Sequence, residues 1–135
     1  MVDHVDVPLR VRYADTDQMG IVYYGAYPVY FEVARSEFMR ERGLSYRSLE
    51  DLGYFLVVAG MEVKYYNPAV YDDLLTIRTN VSNIQSRGVT FEYLILRDSV
   101  LVVEAKTRHI CVSSDRKPRR LPHVLIESLQ DGHSH

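Results

Sequence analysis

The chain has 135 residues, of which 47% are hydrophobic and 25% charged, and this composition fits one globular domain with a single apolar core. Its formal net charge of −2 argues against nucleic acid as a main partner, because phosphate binding requires a basic surface. Its one cysteine, Cys111, rules out an internal disulfide and favours a reducing, cytoplasmic compartment. We expect neither a signal peptide nor a membrane span, because no apolar run approaches about 18 residues.

The first predicted element is a half-buried strand over residues 7–13, because apolar residues alternate there with two arginines. Its inward side chains are Leu9, Val11 and Tyr13. After a loop, apolar residues recur at helical spacing from Pro28 to Gly43, which predicts a long helix over about 28–42. Many residues of this helix are apolar or small, so we expect it to be largely buried. The apolar positions are Val29, Tyr30, Val33, Ala34 and Phe38.

Shorter elements follow towards the C-terminus. Ser45 is a typical helix cap and Gly53 a typical stop, so a short second helix is predicted to end near Leu52. Apolar and polar residues then alternate in several segments, as in strands separated by short turns. These strands are expected at residues 61–66, 75–81, 89–95 and about 100–112. Pro122 opens a possible C-terminal helix, and residues 132–135 are expected to fray.

The order of the elements, a strand, a buried helix and four more strands, predicts an α+β fold. Short turns between consecutive strands favour an antiparallel five-stranded sheet, which would wrap around one long central helix. We expect a single domain over residues 1–135, with a core from about 7 to 125. Such a sheet has an edge strand and an open side, and pairing with a second copy of the chain would cover both.

Residues 13–27, ahead of the long helix, place reactive groups beside apolar ones. Asp17 can attack a carbonyl carbon or activate water, while backbone N–H groups near Tyr23 and Tyr24, at the helix start, can polarise the carbonyl oxygen. Gly20 lets the backbone pass close to a substrate. This segment therefore predicts a hydrolytic site that uses a carboxylate rather than a metal or a cysteine.

The two carboxylates of this segment, Asp15 and Asp17, lie two positions apart, so an extended segment would put both on one side, whereas a loop could separate them. Apolar neighbours would raise the pKa of Asp17, and N–H groups aimed at it would lower that pKa. On spacing alone, such a pair more often caps a helix or stabilises a turn. Cys111 is expected to be a core residue, and His109 a satisfied or interface histidine.

A basic cluster lies in residues 116–120, where four of five residues are cations. These side chains can hold the phosphates of a small ligand, and Arg87, in the turn before the third of these strands, can join them. The alternative interpretation is a solvated turn that helps to keep the protein soluble. The cluster members that we single out as ligand contacts are Lys117, Arg119 and Arg120.

The run from Asp15 to Tyr24, with Tyr27 behind it, resembles the signature of the 4-hydroxybenzoyl-CoA thioesterase family. That family has the hotdog fold, in which an antiparallel sheet wraps around a long helix. Looser matches to the family continue along the chain, and the resemblance covers about residues 7–125. The looser runs are residues 65–69, 71–75 and 119–122.

The resemblance implies hydrolysis of an acyl-CoA thioester to a free acid and CoA, without a cofactor. It assigns the catalytic carboxylate to Asp17, as nucleophile or as base for water, and the oxyanion donor to the backbone N–H near Tyr24. It also implies a homodimer as the minimal active unit, often paired into a homotetramer, with the site at the subunit interface. The residues expected to bind the substrate are Val22, Tyr23, Tyr27, Arg87, Lys117, Arg119 and Arg120.

Tyr24 stands where many bacterial relatives have histidine, and the family members that act on aromatic substrates have tyrosine there. This residue favours an aromatic or otherwise bulky acyl group. Two alternatives stay open: a thioesterase for acyl carrier protein, whose acidic surface would suit the basic cluster, and a non-catalytic protein that binds acyl-CoA or acyl carrier protein. The hotdog dehydratases are disfavoured, because this loop contains no histidine.

Overall fold

Residues 4–130 are described by a computed structural model, in which five strands form one antiparallel sheet. The strands are β1 (Val5–Arg10), β2 (Phe55–Tyr65), β3 (Leu74–Ile84), β4 (Gly88–Arg97) and β5 (Val100–Val112). Their order across the sheet is β1-β3-β4-β5-β2, so the strand that is second in the chain lies at an edge. The predicted five-stranded antiparallel sheet is therefore confirmed, while the expectation for residues 132–135 falls outside the described residues.

The long helix, α1 (Tyr27–Glu41), packs against one face of this sheet. Phe31 stacks on Tyr93 with ring centroids 4.7 Å apart, and Phe38 meets Phe91 edge-on at 5.7 Å. Such aromatic pairs contribute beyond the area that they bury. The helix ends at Glu41, and Gly43, two residues further on, has a φ of +85° that favours glycine. These contacts explain both the position of the predicted helix and where it stops.

The opposite face of α1 is open in the single chain. Val29 and Val33 are 48% and 38% exposed, although both were predicted among the inward-facing residues of a largely buried helix. That prediction is wrong for this face because the sheet covers only one side of the helix. Burial is confirmed for Tyr30, Ala34 and Phe38.

Two short helices close one end of the core. They are α2 (Tyr46–Asp51) and α3 (His123–Gln130). The Ser45 hydroxyl accepts a hydrogen bond from the Ser48 N–H at 3.1 Å, which is the predicted cap. Gly53, with φ of +88°, ends the turn after α2. Both helices are therefore confirmed, and each contributes buried leucines: Leu49, Leu125 and Leu129.

The strand predicted over residues 7–13 ends three residues early. Val11 is buried as expected, but Tyr13 is 78% exposed in a short 3-10 turn. The strand stops because the Arg12 backbone N–H donates to the Asp15 carboxylate at 3.1 Å and starts that turn. Local side-chain hydrogen bonding thus ends the ladder where the alternating pattern would have continued it.

The edge strand β2 is longer and more exposed than the pattern predicted. It begins at Phe55 rather than near residue 61, and a β-bulge follows Val58. Within residues 4–130, β2 forms a ladder with β5 alone, and the backbone groups along its other edge have no strand partner there. Several of its apolar side chains are exposed in the single chain: Val57, Val58, Met61 and Tyr65.

A chain of polar side chains crosses the core between α1 and the sheet. The Arg35 guanidinium donates to the Tyr93 hydroxyl, which lies 2.6 Å from the Thr107 hydroxyl, and Thr107 lies 2.9 Å from Nε2 of His109. Burial and the nearby Arg35 charge lower the pKa of His109 to about 3, so its ring is neutral at pH 7. Among residues 4–130, Nδ1 of His109 has no partner, so the predicted satisfied histidine is satisfied at one nitrogen. Cys111 is buried, as predicted.

Candidate active site

Asp17 lies in a tight turn between the first strand and the long helix. Its backbone N–H donates to the Ile21 carbonyl at 3.0 Å, and its carbonyl accepts from the Gly20 N–H at 2.9 Å. Oδ1 accepts from the Met19 N–H at 2.9 Å, and the side chain is exposed. Gly20 has a φ of +81° in open space, so its place in this turn explains the glycine. The turn holds the Asp17 carboxylate at the surface of the chain.

A second loop supports this turn. The Val22 N–H donates to the Ala69 carbonyl at 2.9 Å, and Ile21 forms an antiparallel bridge with Val70. Asp73 holds the second loop in turn, because its carboxylate accepts from the Val70 N–H at 2.9 Å. The loop matched in the looser family runs thus positions the Asp17 turn, although the residue pattern alone did not show this contact.

Asp15 and Asp17 have different environments, although their spacing left open whether they lie on the same side of the chain. Asp15 is 5% exposed and receives hydrogen bonds from the Arg12 guanidinium and the Tyr30 hydroxyl, both at 2.9 Å. Burial alone would raise the pKa of Asp15, but the hydrogen bonds from Arg12 and Tyr30 outweigh it and lower the pKa below its ordinary value. Both carboxylates also stabilise turns, as the plainer interpretation of their spacing predicted. Only Asp17 is accessible to a substrate.

The start of the long helix supplies hydrogen-bond donors beside Asp17. A 3-10 turn at Tyr24–Ala26 leads directly into α1, and no side chain caps either element. Within residues 4–130, the backbone N–H groups of Tyr24 and Gly25 have no acceptor. Uncapped N–H groups at a helix start, with the positive end of the helix dipole, can stabilise a developing oxyanion.

A groove of about 420 Å³ lies between Asp17, the helix start and the end of β2. Half of its lining residues are tyrosines, and Tyr27 packs against Tyr65 with ring centroids 5.7 Å apart. Burial raises the pKa of Tyr27 to about 12, so this phenol stays neutral. The residues that line the groove are Asp17, Ile21, Val22, Tyr23, Tyr24, Tyr27, Tyr65, Tyr66, Asn67 and Pro68. The structure thus brings together Asp17 and the predicted Val22, Tyr23, Tyr24 and Tyr27.

Tyr65 and Tyr66 reach the groove although their strand pattern had assigned them to opposite sides. Both are about half exposed, and the Tyr66 hydroxyl donates to the Glu104 carboxylate at 2.9 Å. The strand ends at Tyr65, so the alternation no longer determines where Tyr66 points. The signal in the sequence was that this aromatic pair begins one of the looser family runs, residues 65–69, ahead of the Asn67-Pro68 strand stop, but nothing in the pattern placed it beside Asp17.

The basic residues do not join this groove within one chain. The Arg87 carbonyl accepts from the Cys111 N–H and the Lys117 carbonyl from the Ser113 N–H, both at 2.8 Å, beyond the far end of the sheet. The ends of β2, which has 11 residues, are roughly 30 Å apart. Arg87 and Lys117 are therefore near each other but distant from Asp17.

Arg119 and Arg120 follow at the same far end but have different surroundings. The Arg119 guanidinium donates to the Gly53 carbonyl at 3.1 Å and lies 3.7 Å above the centre of the Tyr54 ring. Arg120 is exposed, with its carbonyl near the Cys111 sulfur. Arg119 therefore has a structural role that the residue pattern did not reveal, whereas Arg120 and Lys117 are exposed cations.

The part of the chain that the structure describes contains no group of three His, Cys, Asp or Glu side chains that could hold a metal ion. None of its helices is long and apolar enough to cross a membrane.

Comparisons with known proteins agree with this geometry. The family model of the thioesterase-like superfamily matches residues 11–129. The chain is 36% identical to YbgC, an acyl-CoA thioester hydrolase of Escherichia coli O6:H1 (strain CFT073), over 91% of this chain and 93% of the relative. It is also similar to two solved structures. One is a probable thioesterase from Bartonella henselae, with 39% identity, a TM-score of 0.84, and coverage of 88% of this chain and 99% of the other.

The second structure is a hypothetical protein from Aquifex aeolicus, with 31% identity, a TM-score of 0.90, and coverage of 93% of this chain and 99% of the other. The chain belongs to the thioesterase-like superfamily. The family resemblance, the hotdog fold and the enzyme class of thioester hydrolase, all predicted from the sequence, are thereby confirmed.

Proposed function

We propose that this protein hydrolyses acyl-CoA thioesters, with Asp17 as the catalytic carboxylate. The observation that supports this most directly is that Asp17 and Tyr24 line the same groove, at a helix start where the N–H groups of Tyr24 and Gly25 are uncapped. The similarity to an acyl-CoA thioester hydrolase adds the substrate class. The aromatic walls of the groove favour an aromatic or otherwise bulky acyl group.

Two routes fit this arrangement. Asp17 can take a proton from a water molecule that attacks the thioester carbon, or its carboxylate oxygen can attack that carbon directly. In both routes the carbonyl oxygen becomes an oxyanion, which accepts hydrogen bonds from the N–H of Tyr24. Collapse of this intermediate breaks the C–S bond and releases CoA thiolate, which takes up a proton. The direct route leaves a mixed anhydride on Asp17, and water then hydrolyses it.

Label found in Asp17 after a single turnover in ¹⁸O-labelled water would identify the direct route, whereas water attack at the acyl carbon, in either route, labels only the product acid. If water attacks the thioester carbon, the label enters the product acid and residues 13–27 stay unlabelled. If Asp17 attacks and water then opens the anhydride at the Asp17 carbon, mass spectrometry finds the label in the peptide that contains Asp17.

The test of the enzyme is thiol release from short, long and aromatic acyl-CoAs. Asp17→Asn keeps the shape of the side chain and should lower kcat by about 10²–10⁴-fold, because it removes the base or nucleophile. Asp51→Asn makes the same chemical change at an exposed carboxylate in α2 and should leave kcat unchanged. Near-normal turnover by Asp17→Asn would remove Asp17 as the catalyst.

We further propose a homodimer in which two chains pair along their β2 edges. Two such dimers can form a homotetramer. The unpaired edge and its exposed apolar side chains support this assembly. Antiparallel pairing centred on Gly60, the middle residue of β2, would place the Phe55 end of one strand beside the Tyr65 end of the other. The partner's Arg119 and its basic neighbours would then lie near the Asp17 groove, which would unite the two separated groups of predicted site residues at the subunit interface.

The dimer is tested by sedimentation of two matched variants. Val58→Lys puts a charge on the exposed β2 edge, whereas Val124→Lys puts one on similarly exposed α3. Val58→Lys should give monomers and lose activity, while Val124→Lys should behave as wild type. A Val58→Lys variant with the wild-type mass would contradict pairing at this edge.

The exposed cations Lys117 and Arg120 favour a second candidate substrate, a thioester of acyl carrier protein. Reversing both charges should then weaken turnover of acyl carrier protein more than turnover of short acetylcysteamine thioesters. Equal losses would show that the basic cluster does not contact the carrier. Binding of acyl-CoA without turnover of any thioester would indicate the non-catalytic alternative. In all cases we propose a cofactor-free protein of a reducing, cytoplasmic compartment, as its single cysteine favours.

A further inference from the structure

Asp15 is a buried carboxylate that the proposed reaction does not use. Its Oδ2 accepts from the Arg12 backbone N–H at 3.1 Å and from the Tyr30 hydroxyl at 2.9 Å, and its Oδ1 accepts from the Arg12 guanidinium at 2.9 Å. All three contacts are donors, and only a carboxylate can accept from all of them without offering a hydrogen of its own. Through Tyr30 this carboxylate is attached to α1, the helix whose start lines the groove.

The backbone of Asp15 joins the two sides of the candidate site. Its carbonyl accepts from the Tyr23 N–H at 3.2 Å, and the next residue, Thr16, bridges Val22 in antiparallel fashion. Asp15 therefore lies at the base of the turn that presents Asp17 and next to the segment that leads to the Tyr24 N–H. Any shift of Asp15 would move the Asp17 carboxylate relative to the proposed oxyanion donor, the Tyr24 N–H.

We propose that Asp15 is a positioning residue that sets the geometry between the Asp17 carboxylate and the Tyr24 N–H. This inference rests on the proposed thioesterase function. It assigns the two aspartates of the motif to different tasks: Asp17 contacts the substrate, and Asp15 holds the turn against the helix. Reacting groups that are misplaced by about 1 Å can cost roughly 10²-fold in rate, so such an anchor affects turnover without touching the substrate.

The test is a double-mutant cycle on kcat. Asp15→Asn places an amide N–H₂ among donors and should lower kcat by about 10- to 100-fold, with KM changed less than about threefold. In the Asp17→Asn background the same change should have little further effect, because Asp15 acts through Asp17. A purely structural role would reduce kcat by the same factor in both backgrounds, and that result would overturn the proposal, as would an unchanged kcat for Asp15→Asn.

Two hydroxyl deletions keep the test valid if Asp15→Asn does not fold. Tyr30→Phe removes one bond to Asp15, and Tyr93→Phe removes a buried hydroxyl bonded to Thr107 elsewhere in the core. Only Tyr30→Phe should lower kcat and speed amide hydrogen exchange in residues 16–24, measured well below the unfolding temperature. Equal effects of the two variants on kcat would refute a positioning role for Asp15.

The failure of this proposal is distinguishable from failure of the proposed function. Wild-type protein that releases no thiol, or an Asp17→Asn variant with full activity, would overturn the proposed function and the positioning role with it. Normal wild-type turnover that depends on Asp17 but not on Asp15 or Tyr30 would overturn the positioning role alone.

Discussion

Polar groups at the two ends of the sheet differ in their exposure and in their partners. At the groove end, the Asp17 carboxylate is exposed and the Tyr24 N–H has no acceptor within residues 4–130. At the far end, helices cover the core, and the Arg119 guanidinium is occupied by a backbone carbonyl and an aromatic ring. An end that leaves donors and a carboxylate available can bind and react, whereas the contacts of Arg119 at the other end contribute to stability. The predictions below compare these two ends.

The largest effect on stability is expected from His109, which lies towards the far end of the sheet in β5. Its folded pKa of about 3 lies below the ordinary value of 6.5, so the unfolded chain binds more protons between these pH values. The contribution of His109 to the free energy of unfolding is therefore fully present above pH 6.5 and falls with the pH, by about 2 kcal/mol at pH 5. Denaturant unfolding at pH 7 and pH 5 measures this loss. The free energy of unfolding of His109→Gln should differ less between the two pH values. If the free energy of unfolding changed equally between pH 7 and pH 5 in the wild type and in His109→Gln, the effect would not come from His109.

The next effect separates two arginines of the basic cluster, Arg119 and Arg120. Arg119→Ala removes the hydrogen bond to Gly53 and the contact with Tyr54, and we expect a loss of about 1–2 kcal/mol in the free energy of unfolding. Arg120→Ala changes an exposed side chain and should stay within about 0.5 kcal/mol of wild type. Thermal unfolding of both variants provides the measurement, and similar losses would show that Arg119 is no more structural than its neighbour.

A loss of stability similar to that of Arg119→Ala is expected from a matched pair of glycines, one at each end. Gly20 and Gly43 have φ values of +81° and +85°, and a Cβ would meet nothing within 4 Å at either position. Each substitution by alanine should therefore cost about 1–2 kcal/mol of backbone strain. Only Gly20→Ala should also lower kcat, because only that glycine shapes the turn of Asp17. Loss of activity in Gly43→Ala of the same size would remove this distinction.

Much of the fold could be predicted because local patterns determine it. The helical period after Pro28, the Ser45 cap and the alternating strands correspond to α1, α2 and β3 to β5 within a few residues. The predictions failed where a specific contact, and not the residue pattern, decided the outcome. Tyr13 turned outward because Asp15 starts a turn, and Val33 is exposed because the sheet covers only one side of its helix.

The candidate site was predictable as a motif but not as a shape. The residue pattern placed Asp17, Gly20 and Tyr24 ahead of a helix start, and the structure puts them there. It could not show that Tyr65 completes the groove, because that residue is about 40 positions away in the chain. It also could not show that the basic cluster lies at the other end of the sheet, since sheet order is not a local property.

The sequence by itself determined the elements, the family and the carboxylate motif, because caps, periodicity and turn residues act over a few neighbouring positions. Only the tertiary structure decided which aspartate is buried and which is exposed, because that depends on the Tyr30 hydroxyl, fifteen residues away, reaching Asp15. It also decided that β2 lies at an open edge of the sheet and that Arg119 makes structural contacts at the far end of the sheet. Those outcomes arise from long-range packing, in which each residue's environment is set by partners distant in the chain.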